Sequence, residues 1–141
     1  MPQTKVTPNE QNTGATRATI ATQENATSTT YVDLATTTDT VTVTIGSNGL
    51  AFISLSAYIV NSAAFTVNLL SFVASGANTI AASDANGGQF QTFAANAFGM
   101  VGNGGQLLSG LTPGITTFKL KYRVTGGTGS YSNRVISVIP L

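Results

Sequence analysis

The sequence predicts an all-β protein, an antiparallel β-sandwich or closed barrel, on three observations. From Arg17 onward, short runs rich in Thr, Val, Ile and aromatic residues are divided by Gly, Asn, Ser and Asp. Helix signals, an apolar period of about 3.6 residues opened by a cap, are nearly absent. One run, residues 115–125, alternates strictly: Thr116, Phe118, Leu120, Tyr122 and Val124 point one way, and Thr117, Lys119, Lys121 and Arg123 the other.

Taken in order, residues 1–16 carry Pro2, Pro8 and Gly14 among polar side chains without apolar periodicity, which predicts an extended N-terminal arm. Residues 17–141 form the sandwich domain. Its candidate strands are residues 17–23, 30–35, 40–45, 50–60, 65–74, 79–82, 89–94, 106–111, 115–125 and 131–139. Gly46-Ser47-Asn48-Gly49 reads as a hairpin loop, and Thr112-Pro113-Gly114 as a turn in which Pro fixes φ and Gly permits its positive range. Gly126-Gly127-Thr128-Gly129 predicts a second hairpin, which would bring Arg134 beside Lys119, Lys121 and Arg123 in one basic stripe.

Residues 50–60 and 65–74 are apolar on both alternating sets, Phe52 and Tyr58 standing opposite Ile53, Leu55 and Ile59. A sandwich covers one face of each sheet, so such strands need a second covering surface, and association between copies supplies it. Asp84 is the sole charge between Asp39 and Lys119, which strengthens the expectation of a homo-oligomer. Phe52, Tyr58, Phe65 and Phe72 are the candidate subunit-interface residues.

Composition removes whole classes of chemistry. The 141 residues include no Cys, His or Trp, so disulfides, thiolate metal sites and the ordinary base of a nucleophilic triad are missing. Only 8% are charged, about a third of the usual share of roughly 25%. A formal net charge of +1 attracts neither nucleic acid nor an anionic membrane at long range. No apolar run reaches bilayer length, and the opening MPQTKVTPNEQNTG lacks the apolar core of a secretory signal, so a soluble chain is expected.

What chemistry remains is thin. Asp33 and Asp39 form the single close carboxylate pair, readable as an acid and base pair, as a calcium site or, the favoured reading, as strand-end and turn residues. Asp84 reads as a turn residue, a partner for Arg123 or a ligand contact. Gly102-Asn103-Gly104-Gly105 resembles an anion nest but is followed by no helix and no phosphate-binding Lys. Phe90, Phe93 and Phe98 are either core residues or exposed rings for stacking on carbohydrate, and core packing accounts for them without further assumption. We therefore expect no enzyme, and no catalytic, cofactor-binding or metal-binding residue.

Two stretches carry a resemblance to a family. ATSTTYVDLATTTDTVTV (residues 26–43) and LTPGITTFKLKYRVTGGTGSYSNRVISVIPL (residues 111–141) resemble small virion proteins of tailed phages, the second being the more specific. The resemblance implies a jelly roll similar to the tumour-necrosis-factor-like trimers used on capsids and at fibre tips. Such domains occur as capsid decoration proteins and as terminal domains of tail or fibre proteins; the leading expectation is a homotrimeric decoration protein on the outer capsid surface that binds the major capsid protein and stabilises the shell. The short arm, in place of a long upstream attachment region, favours this stand-alone role, with Pro2, Lys5, Val6 and Pro8 as anchoring residues. The alternative is a receptor-binding module of a tail or head fibre, reading host surface glycan through residues 82–89 and 96–106. A cellular carbohydrate-binding sandwich is a third reading.

Overall fold

The computed structural model describes residues 15–141, so the proposed anchors Pro2, Lys5, Val6 and Pro8 lie outside the described residues. Ten strands follow one another as β1 (Thr16–Ile20), β2 (Glu24–Ala26), β3 (Thr40–Ile45), β4 (Ala51–Asn61), β5 (Thr66–Gly76), β6 (Gly88–Thr92), β7 (Ala97–Gly102), β8 (Gln106–Leu108), β9 (Gly114–Val124) and β10 (Gly129–Pro140). A single 3-10 turn, Asp84–Asn86, interrupts the β5–β6 link.

The strands form two antiparallel sheets. One runs β1-β10-β4-β7, with β2 extending the β1 edge along β10 and β8 extending the β7 edge along β4. The other runs β3-β9-β5-β6. Successive long strands mostly change sheet, the wrapping of a double-sheet jelly roll.

Alternation in β9 has its expected result: Thr116, Phe118, Leu120, Tyr122 and Val124 are buried, while Thr117, Lys119, Lys121 and Arg123 are not. They meet Ile53, Leu55 and Ile59 of β4 and Tyr131, Ile136 and Val138 of β10 in one core cluster. Phe72 of β5 belongs to this core rather than to an interface. It is wholly buried with its ring centroid 5.9 Å from that of Phe118.

Both expected hairpins are crossovers instead. The 46–49 turn closes with the Gly49 amide donating to the Gly46 carbonyl at 3.1 Å, yet it carries the chain from β3 in one sheet to β4 in the other. Gly49 has φ +64, and a Cβ there would stand 2.6 Å from the Leu111 carbonyl oxygen, so glycine is required. Likewise β9 and β10 face each other across the core. Alternation reports which side of a strand is buried and is silent on which strand lies beside it.

Residues 30–35 form no strand. Residues 28–39 make an irregular strap along β9, with paired bonds between Val32 and Tyr122 at 2.9 and 3.0 Å and a bond from the Leu120 amide to the Asp39 carbonyl at 3.1 Å. Residues 79–82 contribute one bridge, Ile80 to Ala74. That link also answers the two-sided burial of β5 from within the chain: outward-facing Ser71 is fully buried and its hydroxyl donates to the Ser83 carbonyl at 2.8 Å. Among the described residues the outer face of β4 has no such cover.

Candidate interaction face

The sequence-predicted site residues among those described separate into four places: the outer face of each sheet, the interior and one corner of the sandwich. Phe52 and Tyr58 lie on the outer face of the β1-β10-β4-β7 sheet, because β4 turns Ile53, Leu55, Ala57 and Ile59 inward. Their cross-strand neighbours share that face: Phe52 pairs with Leu107, Tyr58 with Met100 and Val60 with Phe98. Phe98, Met100 and Leu107 are 66, 59 and 57% exposed, and the Tyr58 and Phe98 rings lie 5.5 Å apart. Gly105 fits closely beneath this surface, since a Cβ there would stand 2.3 Å from the Phe52 ring.

Around these apolar side chains the face is uncharged. Ser54 and Ser56 of β4 and Ser132 and Ser137 of β10 occupy outward positions, and Arg17 is the one charged residue among the described outward positions of the sheet. A shallow groove of about 410 Å³ runs across it, lined by Arg17, Thr19, Tyr58, Met100, Asn133 and Val135. Phe98 was expected in the core. It is exposed because β7, too rich in Ala and Gly to read as a strand, places it opposite the outward Val60.

The basic stripe is shorter than expected and neutralised. Lys119 and Lys121 both reach Asp33, at 3.0 and 2.8 Å, and hold its carboxyl below the ordinary range against the opposing effect of burial. Arg123 clasps Asp84 through two bonds, Nε to Oδ1 at 3.1 Å and Nη2 to Oδ2 at 2.6 Å. Tyr31 donates to Asp84 Oδ1 at 2.9 Å while its ring lies under the guanidinium, 5.4 Å away. Burial first, and the Asp84 bond second, push the Tyr31 hydroxyl up to about 12. Asp84 is thus a partner for Arg123, one of the readings offered for it.

Arg134 stands apart from that stripe, inside the sandwich. Nη1 faces Asp39 Oδ2 at 3.3 Å, Nη2 lies 2.9 Å from Glu24 Oε2, and Nε has no acceptor among the described residues. Tyr122 donates to Asp39 Oδ2 at 2.5 Å, and the guanidinium lies over its ring at 5.5 Å. Burial raises the Asp39 carboxyl above its ordinary value, although the Tyr122 hydroxyl and Arg134 favour the anion. The Asp33–Asp39 pairing dissolves accordingly: one carboxylate serves the outer lysines and the other the buried arginine.

The Gly102–Gly105 segment is a structural link. Asn103 Oδ1 accepts from the Leu55 and Gly105 amides, each at 3.0 Å, which fastens the β7–β8 connection to β4.

The remaining aromatics gather at one corner of the sandwich. Thr66 and Thr92 pair across β5 and β6 with their hydroxyls 2.8 Å apart; Phe65 immediately precedes the first and Phe93 immediately follows the second. Phe65 and Phe93 are 74 and 70% exposed, so Phe93 also departs from the core expectation, whereas Phe90 packs against the core as expected.

No protein-family model matches the sequence, and a comparison with curated proteins gives no match. Solved structures do match. The Eiger tumour necrosis factor of S. frugiperda superposes with a TM-score of 0.59 at 13% identity, covering 93% of this chain and 94% of that one. The fold is a tumour-necrosis-factor-like jelly roll. A protein of the infectious bursal disease virus particle gives a TM-score of 0.60 at 13% identity over 99% of this chain. The protein of that virus's Gx strain gives 0.60 at 12% over 90%. Against these two viral chains the jelly roll spans about a third of the partner's length, 35 and 32%.

Proposed function

We propose that this chain is a structural subunit of a virion, a decoration protein that associates as a homotrimer through the outer face of the β1-β10-β4-β7 sheet and seats on the assembled capsid. The observation that carries the reading is that face itself. Phe52, Tyr58, Phe98, Met100 and Leu107 stand together on a face shared with Val60, Val135, Ile139 and several Ser and Thr hydroxyls, where Arg17 is the lone charge among the described outward residues. Contiguous exposed apolar surface of this kind marks an association site. The near absence of charge lets two such surfaces meet without desolvating ions.

The fold supports the reading in a second way. Jelly rolls of this shape occur in an infectious bursal disease virus particle and in a tumour necrosis factor, at identities that transmit architecture and nothing finer. A trimer that binds the assembled shell and not its free subunits stabilises the shell by mass action, summed over many sites.

The test is co-sedimentation of the purified protein with shells of the virus that encodes it. Saturable binding to assembled shells, with a raised temperature of shell disruption, is the expected result. Absence of the chain from purified particles contradicts the proposal.

A further inference from the structure

We propose that the corner carrying Phe65 and Phe93 is a binding site for a neutral saccharide. Three turns make this corner, at 62–65, 93–96 and 125–128. They are joined by bonds from the Ser62 amide to the Thr128 carbonyl at 3.0 Å and from the Asn96 amide to the Asn61 carbonyl at 2.7 Å. Beneath them Asn61, wholly buried, donates to Asn68 Oδ1 at 2.7 Å and to the Gly126 carbonyl at 3.1 Å, and accepts from the Ala63 amide at 2.9 Å. Thr92 and Thr66 both donate to the Ala63 carbonyl, at 3.0 and 3.2 Å. The platform is therefore fixed before any ligand arrives, which lowers the entropy lost on binding.

On this rigid base both rings are turned outward. Phe65 does so with φ +56, a left-handed conformation that a bulky side chain seldom adopts. Core packing cannot be the reason for the strain, because the ring is 74% exposed. The neighbours in these turns are Ala63, Ala64, Ala94 and Ala95, too small to screen the faces of the two rings. The uncharged polar groups of Ser62, Gln91, Asn96 and Thr125 are exposed around them.

Charge decides among the ligands that stack on aromatic rings. Single-stranded nucleic acid needs Lys or Arg to track its phosphates, and the three turns contain no ionisable side chain. The same absence leaves nothing to pair with a uronic or sialic acid. A neutral sugar presents an apolar ring face to a phenyl ring and hydroxyls to uncharged polar groups, and both are present here.

The experiment is saturation-transfer NMR and calorimetric titration of the full chain with maltohexaose, cellohexaose, mannohexaose and chitohexaose, with hexagalacturonate as the charged control. Binding of at least one neutral oligosaccharide is expected, weakened about three- to tenfold by Phe93→Ala and by Phe65→Ala and unchanged by Leu107→Ala. Phe65→Gly separates ligand binding from folding: it relieves the backbone strain, so the thermal midpoint holds or rises while binding falls. Lack of binding to every neutral sugar at millimolar concentration, binding only to phosphatidylcholine vesicles, or binding that survives the double Phe65→Ala, Phe93→Ala change would each overturn the proposal. None of these outcomes bears on the oligomeric state, so the proposal and the virion reading fail separately.

Discussion

Arg134 reaches Asp39 across 3.3 Å where the β10–β4 register shifts, and neither side chain is open to solvent. The shift falls between Ser132 and Val135, where Asn133 takes φ +46 and the bulge turns Arg134 into the sandwich. The guanidinium then links β10 to the strap through Asp39 and, across the core, to β9 through the Tyr122 ring, and adds Glu24 to the backbone pairing of β10 with β2. Removing the cation leaves the buried Asp39 without its counter-ion and Glu24 without its partner. Arg134→Ala is expected to destabilise the fold by about 3–5 kcal/mol, measured by urea unfolding. A loss below about 1 kcal/mol would show that the cluster is solvated in solution.

Asp39 also gives the cluster a pH signature. Its folded carboxyl is raised above 3.8 by burial, so the folded state binds its proton more tightly than the unfolded state does. Its contribution is fully present below the unfolded value and is lost as pH rises through the folded one. The difference in unfolding free energy between the parent and Asp39→Asn is expected to shift against the parent from about pH 4 upward, then level off. A difference moving the other way would mean that Arg134 dominates burial and lowers the carboxyl.

On the outer face of the second sheet the signs reverse. Arg123 holds Asp84 below its ordinary value, so this pair stabilises at neutral pH and loses its contribution as pH falls. The pair is solvent-exposed, and Asp84→Asn is expected to cost about 0.2–1 kcal/mol, less in high salt. Thermal melts in low and high sodium chloride check both statements.

Phe72 and Phe98 distinguish core from interface. Phe72→Ala opens a cavity beside Phe118 and is expected to cost about 3–5 kcal/mol in unfolding. Phe98→Ser removes an exposed ring and is expected to change monomer stability by less than about 0.5 kcal/mol while weakening self-association. Denaturation at two protein concentrations separates these effects.

Much of the fold was legible because β propensity and alternation are local. The inward row of β9 and the two-sided apolarity of β4 can be read from residues 115–125 and 50–60 without knowledge of any partner strand. Pairing is not local, so the turns at 46–49 and 126–128 read as hairpins although each crosses between sheets. β7 carries Gly99 and Gly102, which break the strand signal, yet Gly99 is needed because the Phe90 ring occupies the space of a Cβ. The candidate face was half visible. Phe52 and Tyr58 were identified from two-sided apolarity, whereas Phe98, Met100 and Leu107 gain their meaning only through pairing with β4. Nothing local distinguishes the buried Arg134 from the outward Lys119 and Lys121, since the bulge that turns it inward depends on β4 and β1.

The central claim is that the face bearing Phe52, Tyr58, Phe98, Met100 and Leu107 joins copies of this chain. Sedimentation equilibrium of the purified protein, alongside Met100→Glu and Leu107→Glu, tests it most directly. The account predicts a trimer at micromolar concentration for the parent and folded monomers for both variants. A monomeric parent, or a trimer that tolerates both glutamates, would contradict it.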